Sequence, residues 1–135
     1  MKQVFAALLF STFLMGCGSG DIPPLAPVKG QVLLKGKPLP NAKVVFRPEK
    51  GGGRPSGGKT DEDGCFELFY AEEIPGAIIG PHKVLITTFV GKDDESEEVE
   101  AQIGRPELVP PIYNSASTLV TVVKKENEDF VFKLD

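Results

Sequence analysis

The chain has 135 residues and a formal net charge of −4, with 15 Gly, 12 Pro and no Trp. That is enough chain for one modest core. No basic patch and no Lys/Arg-rich helix is visible, which argues against nucleic acid as a partner; charge would not draw the chain to an anionic membrane surface either. The Gly and Pro content suits a turn-rich all-β protein better than a helical one.

Met1-Lys2-Gln3 is a short basic head, and Val4 to Leu14 is an apolar run broken only by Ser11 and Thr12. Leu14-Met15-Gly16-Cys17 closes it with a small residue before a cysteine. This order reads as a secretory signal. A spanning helix needs ~20 apolar residues, and the run is shorter. With the cysteine at the cut, the segment resembles a bacterial lipoprotein signal. The resemblance implies that Leu14, Met15 and Gly16 are read by signal peptidase II. It further implies that residues 1–16 are removed and that Cys17 is the lipidation site. Cysteine is required there because a thiolate takes the diacylglycerol group, and Gly16 leaves room for the peptidase. Acyl chains such as palmitate, at about 0.8 kcal/mol per buried methylene, would then tether the protein to the membrane. The expected location is the bacterial cell envelope, facing the periplasm or the cell surface.

The sequence has two cysteines. With Cys17 acylated, Cys65 is left alone and no intramolecular disulfide is expected. A buried inert thiol, an exposed free thiol and an intermolecular bridge are all open to it; its neighbours Gly64, Phe66 and Glu67 offer nothing that would activate a thiol, so structural filler is the default reading.

Residues 17–27 read as a tether: Gly18-Ser19-Gly20 is flexible, and Pro23, Pro24 and Pro27 stiffen the second half into extended chain. From residue 28 onward, short strands alternate with Gly/Pro turns. Val28 to Lys35 alternates as a half-buried strand. Lys43 to Pro48 follows, with Val44 and Phe46 on one face. Pro48 to Lys59 holds five glycines and reads as a mobile loop without packing of its own. After the turn Thr60-Asp61-Glu62-Asp63-Gly64, Cys65 to Tyr70 reads as one strand, with Phe66, Leu68 and Tyr70 sharing a face. Gly76 to Pro81 is a break. His82 to Val90 is the longest apolar strand, half apolar on both faces, as a central strand would be. Asp93 to Glu100 carries six carboxylates in eight residues, and Arg105 to Asn114 is a Pro-rich connection. Ser117 to Val123 and Asp129 to Leu134 complete about seven strands, a β-sandwich pattern.

Four pieces in order carry a resemblance. They are Val28-Lys29-Gly30-Gln31-Val32; Gly36-Lys37-Pro38-Leu39-Pro40-Asn41-Ala42-Lys43-Val44-Val45-Phe46; Thr60-Asp61-Glu62-Asp63-Gly64-Cys65-Phe66; and Gly80-Pro81-His82-Lys83-Val84. Together they resemble the carboxypeptidase regulatory-like domain, in a chain similar to small bacterial envelope lipoproteins. The resemblance implies a single Greek-key, transthyretin-like β-sandwich over residues 28–135. Asn41 departs from the family's usual glycine, and His82 from its usual aromatic.

The physical reading of these pieces is structural. Thr60, Asp61, Asp63 and Gly64 form a structural turn, with the Thr60 and Asp61 side chains bonding nearby backbone and Gly64 taking positive φ. The acidic turn lacks the ligand order of a calcium loop, so no metal is expected. One His and one free Cys are too few for a zinc site, and no cofactor is expected. His82, the single histidine, is the one centre a hydrolase would need, but no Gly-x-Ser-x-Gly elbow accompanies it. The expected function is a lipid-anchored, non-catalytic envelope module. Its partners would be the membrane through its N-terminal lipid, and an envelope protein or glycan. A small-ligand carrier is the alternative, and a hydrolase built on His82 stands last. The acidic run reads as a solvated loop, or as a docking surface for a basic partner. Leu108 to Tyr113 reads as packing over a sandwich edge, with exposure of its apolar side chains for partner contact as the alternative.

Overall fold

The structure is a computed structural model that describes residues 21–135; Leu14, Met15, Gly16 and Cys17, with the rest of the signal segment, lie outside the described residues. Twelve strands follow in chain order: β1 (Leu25–Ala26), β2 (Lys29–Leu34), β3 (Lys37–Pro38), β4 (Lys43–Pro48), β5 (Ser56–Lys59), β6 (Cys65–Glu67), β7 (Phe69–Ala71), β8 (Ile74–Pro75), β9 (Ala77–Ile78), β10 (Gly80–Thr87), β11 (Val120–Val123) and β12 (Phe130–Leu134). One short helix, α1 (Val99–Ile103), and a 3-10 turn at Pro111–Tyr113 lie between β10 and β11. The protein is therefore mostly β. Among the described residues, no helix is long and apolar enough to cross a membrane.

The larger sheet has the order β11-β10-β4-β5-β7-β8; the smaller joins β12, β2 and β3, with β6 also paired to β2. One edge of β2 takes β12 in parallel. Its other edge is shared, β6 along Lys29 to Gln31 and β3 at Leu33 and Leu34. Alternation drives the assembly. Val44 and Phe46 of β4 and Val84 and Ile86 of β10 are fully buried, and they meet Val32, Phe66, Phe132 and Leu134 of the smaller sheet in one apolar cluster. Such period-two burial is what half-apolar strands are built to do.

Several expectations shift. Ser56–Lys59, expected inside a mobile loop, is a strand bonded to β4 and β7. Gly58 is there for closeness rather than mobility: a Cβ on it would stand 2.2 Å from the Glu67 carbonyl oxygen. The expected single strand Cys65 to Tyr70 is two strands in different sheets. The chain crosses at Leu68, fully buried, whose N–H donates to Val28 O (2.9 Å) and whose carbonyl accepts from Gly76 N (2.8 Å). Within the stretch read as tether, Leu25–Ala26 pairs with β9, and Ala26 is buried. The expected break from Gly76 to Pro81 contains β9 and the start of β10.

Candidate functional site

The structural turn is bonded from both sides. Thr60 Oγ1 donates to Leu39 O (2.6 Å) and accepts from Ala42 N (2.8 Å), both buried. Asp61 Oδ1 accepts from the amides of Asp63 and Cys65, each at 2.9 Å. Asp63 contributes its carbonyl, which accepts from Gln31 Nε2 (2.8 Å). Gly64 takes φ 75°, and a Cβ there would come within 2.5 Å of Val32 O. The side chains of Thr60 and Asp61 are thus spent on backbone. Cys65 beside it is exposed. Partial desolvation, and then the carboxylates of Asp61, Asp63 and Asp129, push its thiol up from the usual range. A raised pKa leaves little thiolate to react.

His82 lies on the inner face of β10 and is 1% exposed. Its Nδ1 lies 2.9 Å from Gly80 O, so that nitrogen carries the proton and donates, and its ring lies 5.8 Å from that of Phe46. Its Nε2 has no partner among the described residues. Burial lowers its pKa, against weaker opposite effects from the Gly80 carbonyl and Glu49. The unfolded chain, with a histidine pKa near about 6.5, therefore takes up a proton before the folded one does. The contribution of His82 to stability is therefore flat above that pH and falls as pH drops below it, by at most about 1.4 kcal/mol per pH unit. His82→Phe is expected to remove that fall, as melting temperatures at neutral and mildly acidic pH would show; an unchanged pH slope would assign the effect elsewhere.

The site with most chemical content is the outer face of the larger sheet. Three transverse rows cross it in register. Leu85, Val45, Gly57 and Phe69 face one another in turn across β10, β4, β5 and β7. On one side of this apolar row stands Lys83 opposite Arg47; on the other, Thr87, Lys43 and Lys59. Leu85 and Val45 are half-buried, and Phe69 is 42% exposed. Gly57 supplies no side chain, so the row has a notch at its centre. A cleft of about 420 Å³ opens there, running from Gly57 past Lys43 and Thr87 to Phe89, Glu100 and Arg105. Next to it, along the same face, Arg54 sits over the Tyr70 ring at 5.3 Å.

The acidic run reaches this cleft. The segment that leaves β10 returns through a bridge between Val90 and Arg105 and carries α1. Glu100 Oε2 accepts from Lys59 Nζ at 2.7 Å and lies 3.6 Å from an Arg105 nitrogen. The Lys59 hydrogen bond, and then the charges of Lys59 and Arg105, outweigh desolvation and hold the Glu100 carboxyl below its usual range. The run is therefore not wholly a solvated loop, because its last carboxylate is fastened to the sheet.

The Pro-rich connection is organised by Glu107. Its carboxylate accepts from the Thr87 hydroxyl, the Thr88 amide and hydroxyl, and the Val109 amide. Burial raises its pKa, but these bonds together hold it low. Val109 is buried while Leu108 and Ile112 are more than half exposed, so only part of the expected packing segment packs.

The outer-face rows correct the expectation of no basic patch: the cations are scattered in sequence and gathered only by strand pairing. Among the described residues, no group of three or more His, Cys, Asp or Glu is placed to hold a metal. Comparison of the chain with protein families, with curated proteins and with solved structures finds no match.

Proposed function

We propose that the protein is a lipid-anchored, non-catalytic module of the bacterial cell envelope. Its body would be a transthyretin-like β-sandwich similar to the carboxypeptidase regulatory-like domain, and it would act by binding. The anchor rests on the order of basic head, apolar run and Gly16-Cys17 in the sequence. The binding role rests on one observation: an apolar row on an open sheet face, flanked by cations in register. Exposed cations around apolar surface are a recognition feature, since charge steers a partner and apolar area holds it. His82 supports a structural part, because its one bonded nitrogen faces backbone and it is closed off from solvent. A small-ligand carrier would use the cleft at Gly57, but Lys59 and Arg105 on its rim are already engaged by Glu100.

The anchor is tested by Cys17→Ala. The variant is expected to leave the membrane fraction for the soluble one and to lose its acyl mass. A variant that still sediments with membranes would overturn the lipid anchor.

A further inference from the structure

The outer face of the larger sheet carries an electrostatic conflict. Lys83 stands directly opposite Arg47, and Lys43 directly opposite Lys59. Like charges opposed across a strand pair destabilise it. The chain has fewer cationic than acidic residues, 15 against 19, so composition did not force two such pairs onto one face. Among the described residues, no carboxylate lies within ion-pair distance of Lys43, Arg47 or Lys83. Local rules are broken in this way where a site needs the offending groups.

The dimensions suggest what fits. Alternate residues on a strand are about 6.7 Å apart, so the two cationic rows lie about 13 Å from each other with the apolar row between them. The apolar row spans four strands, about 14 Å, the length of roughly four residues of extended peptide. The chain also shows one polypeptide carboxylate already seated at a corner of this face, that of Glu100 on Lys59 and Arg105.

We propose, resting on the binding reading above, that this furrow docks an extended acidic segment of a partner protein, in which carboxylates alternate with apolar side chains. Carboxylates of the segment pair with Lys83 and Arg47 on one flank and with Lys43 on the other. An apolar side chain enters the notch at Gly57, against Val45 and Phe69. The apolar floor separates a peptide from other polyanions, since a charged glycan or a phosphate backbone brings no apolar side chain to cover Leu85 and Val45. The Glu100 contact sets the limit of the furrow at the Lys59 end.

The test uses the full-length chain in detergent and a fluorescent peptide of about ten residues alternating Glu with Phe and Leu. Its control is the same peptide with Gln for Glu. Anisotropy is expected to show binding of the Glu peptide that weakens as salt rises from about 50 to about 500 mM. The Gln peptide is expected to bind poorly. The double variant Lys83→Gln with Arg47→Gln is expected to lose affinity by at least about tenfold while its melting temperature holds or rises, because a repulsive pair is gone. Equal binding of the two peptides, or an unchanged affinity in the double variant, would overturn the proposal. So would tighter binding to heparin than to the peptide. Self-association of the chain lost in the same variant would reassign the face to a second copy. None of these outcomes touches the Cys17 fractionation result, so failure of the docking site and failure of the lipid anchor are separable.

Discussion

Phe46→Ala is expected to lower stability by about 3–5 kcal/mol, the range for truncating a buried aromatic. Phe46 is fully buried on β4, and its ring meets those of Phe130 at 5.6 Å, Phe132 at 6.0 Å and His82 at 5.8 Å. Two of these partners belong to the smaller sheet and one to the larger, so this ring is a principal contact between the two. Its loss leaves a void lined by aromatic faces that rigid strands cannot close. For a domain whose whole stability is about 5–15 kcal/mol, that is roughly a fifth or more of the total. Urea denaturation would show it as a lower midpoint at constant slope. A change under about 1 kcal/mol would mean that the sheets do not meet through Phe46.

Gly58→Ala is the second large effect, and its origin is opposite. Nothing is removed; a methyl group is driven to 2.2 Å from the Glu67 carbonyl oxygen and 3.1 Å from its carbon. The obstacle is backbone, and Glu67 is itself held in register with Lys29 on β2. Relief would require β5 and β6 to separate. A cost of roughly 3 kcal/mol, at the top of the range for overpacking, is expected. The neighbouring Gly57→Ala is the control. Its Cβ would meet only Val44 O, at 3.6 Å, an ordinary contact, so its effect is expected to stay within about 0.5 kcal/mol. Equal midpoints for the two variants would show that β5 is not closely packed.

What the sequence made legible was alternation. Val44 with Phe46, Val84 with Ile86, Phe66 with Leu68, and Phe132 with Leu134 each mark a buried face, and each pair is buried in the structure. The two faces of the stretch His82 to Val90 were harder to separate, because Leu85 and Phe89 on one are as apolar as Val84 and Ile86 on the other; packing selects the face carrying His82. Pairing was not legible. Ser56-Gly57-Gly58-Lys59 has too few side chains to alternate, so its strand character comes from its neighbours. Nothing in Cys65 to Tyr70 announces that Leu68 passes between sheets, since the alternation of Phe66 and Leu68 continues through the crossing. The furrow was invisible for the same reason. Lys43, Arg47, Lys59 and Lys83 are isolated in the chain, and only the register of three strands makes rows of them.

The parallel pairing of β12 with β2 has a consequence for how the molecule is made. A chain emerging amino end first presents β2 long before its partner exists. β6 and β3 can close one side of β2 early, but the side that takes β12 stays open until residues 130–134, about a hundred positions on, arrive. Closing so long a loop delays completion, and folding dominated by distant pairings runs on the order of milliseconds to seconds. During that interval the unpaired margin of β2 is a template for the wrong strand, which makes the five-residue β12 the latch that closes this margin against aggregation.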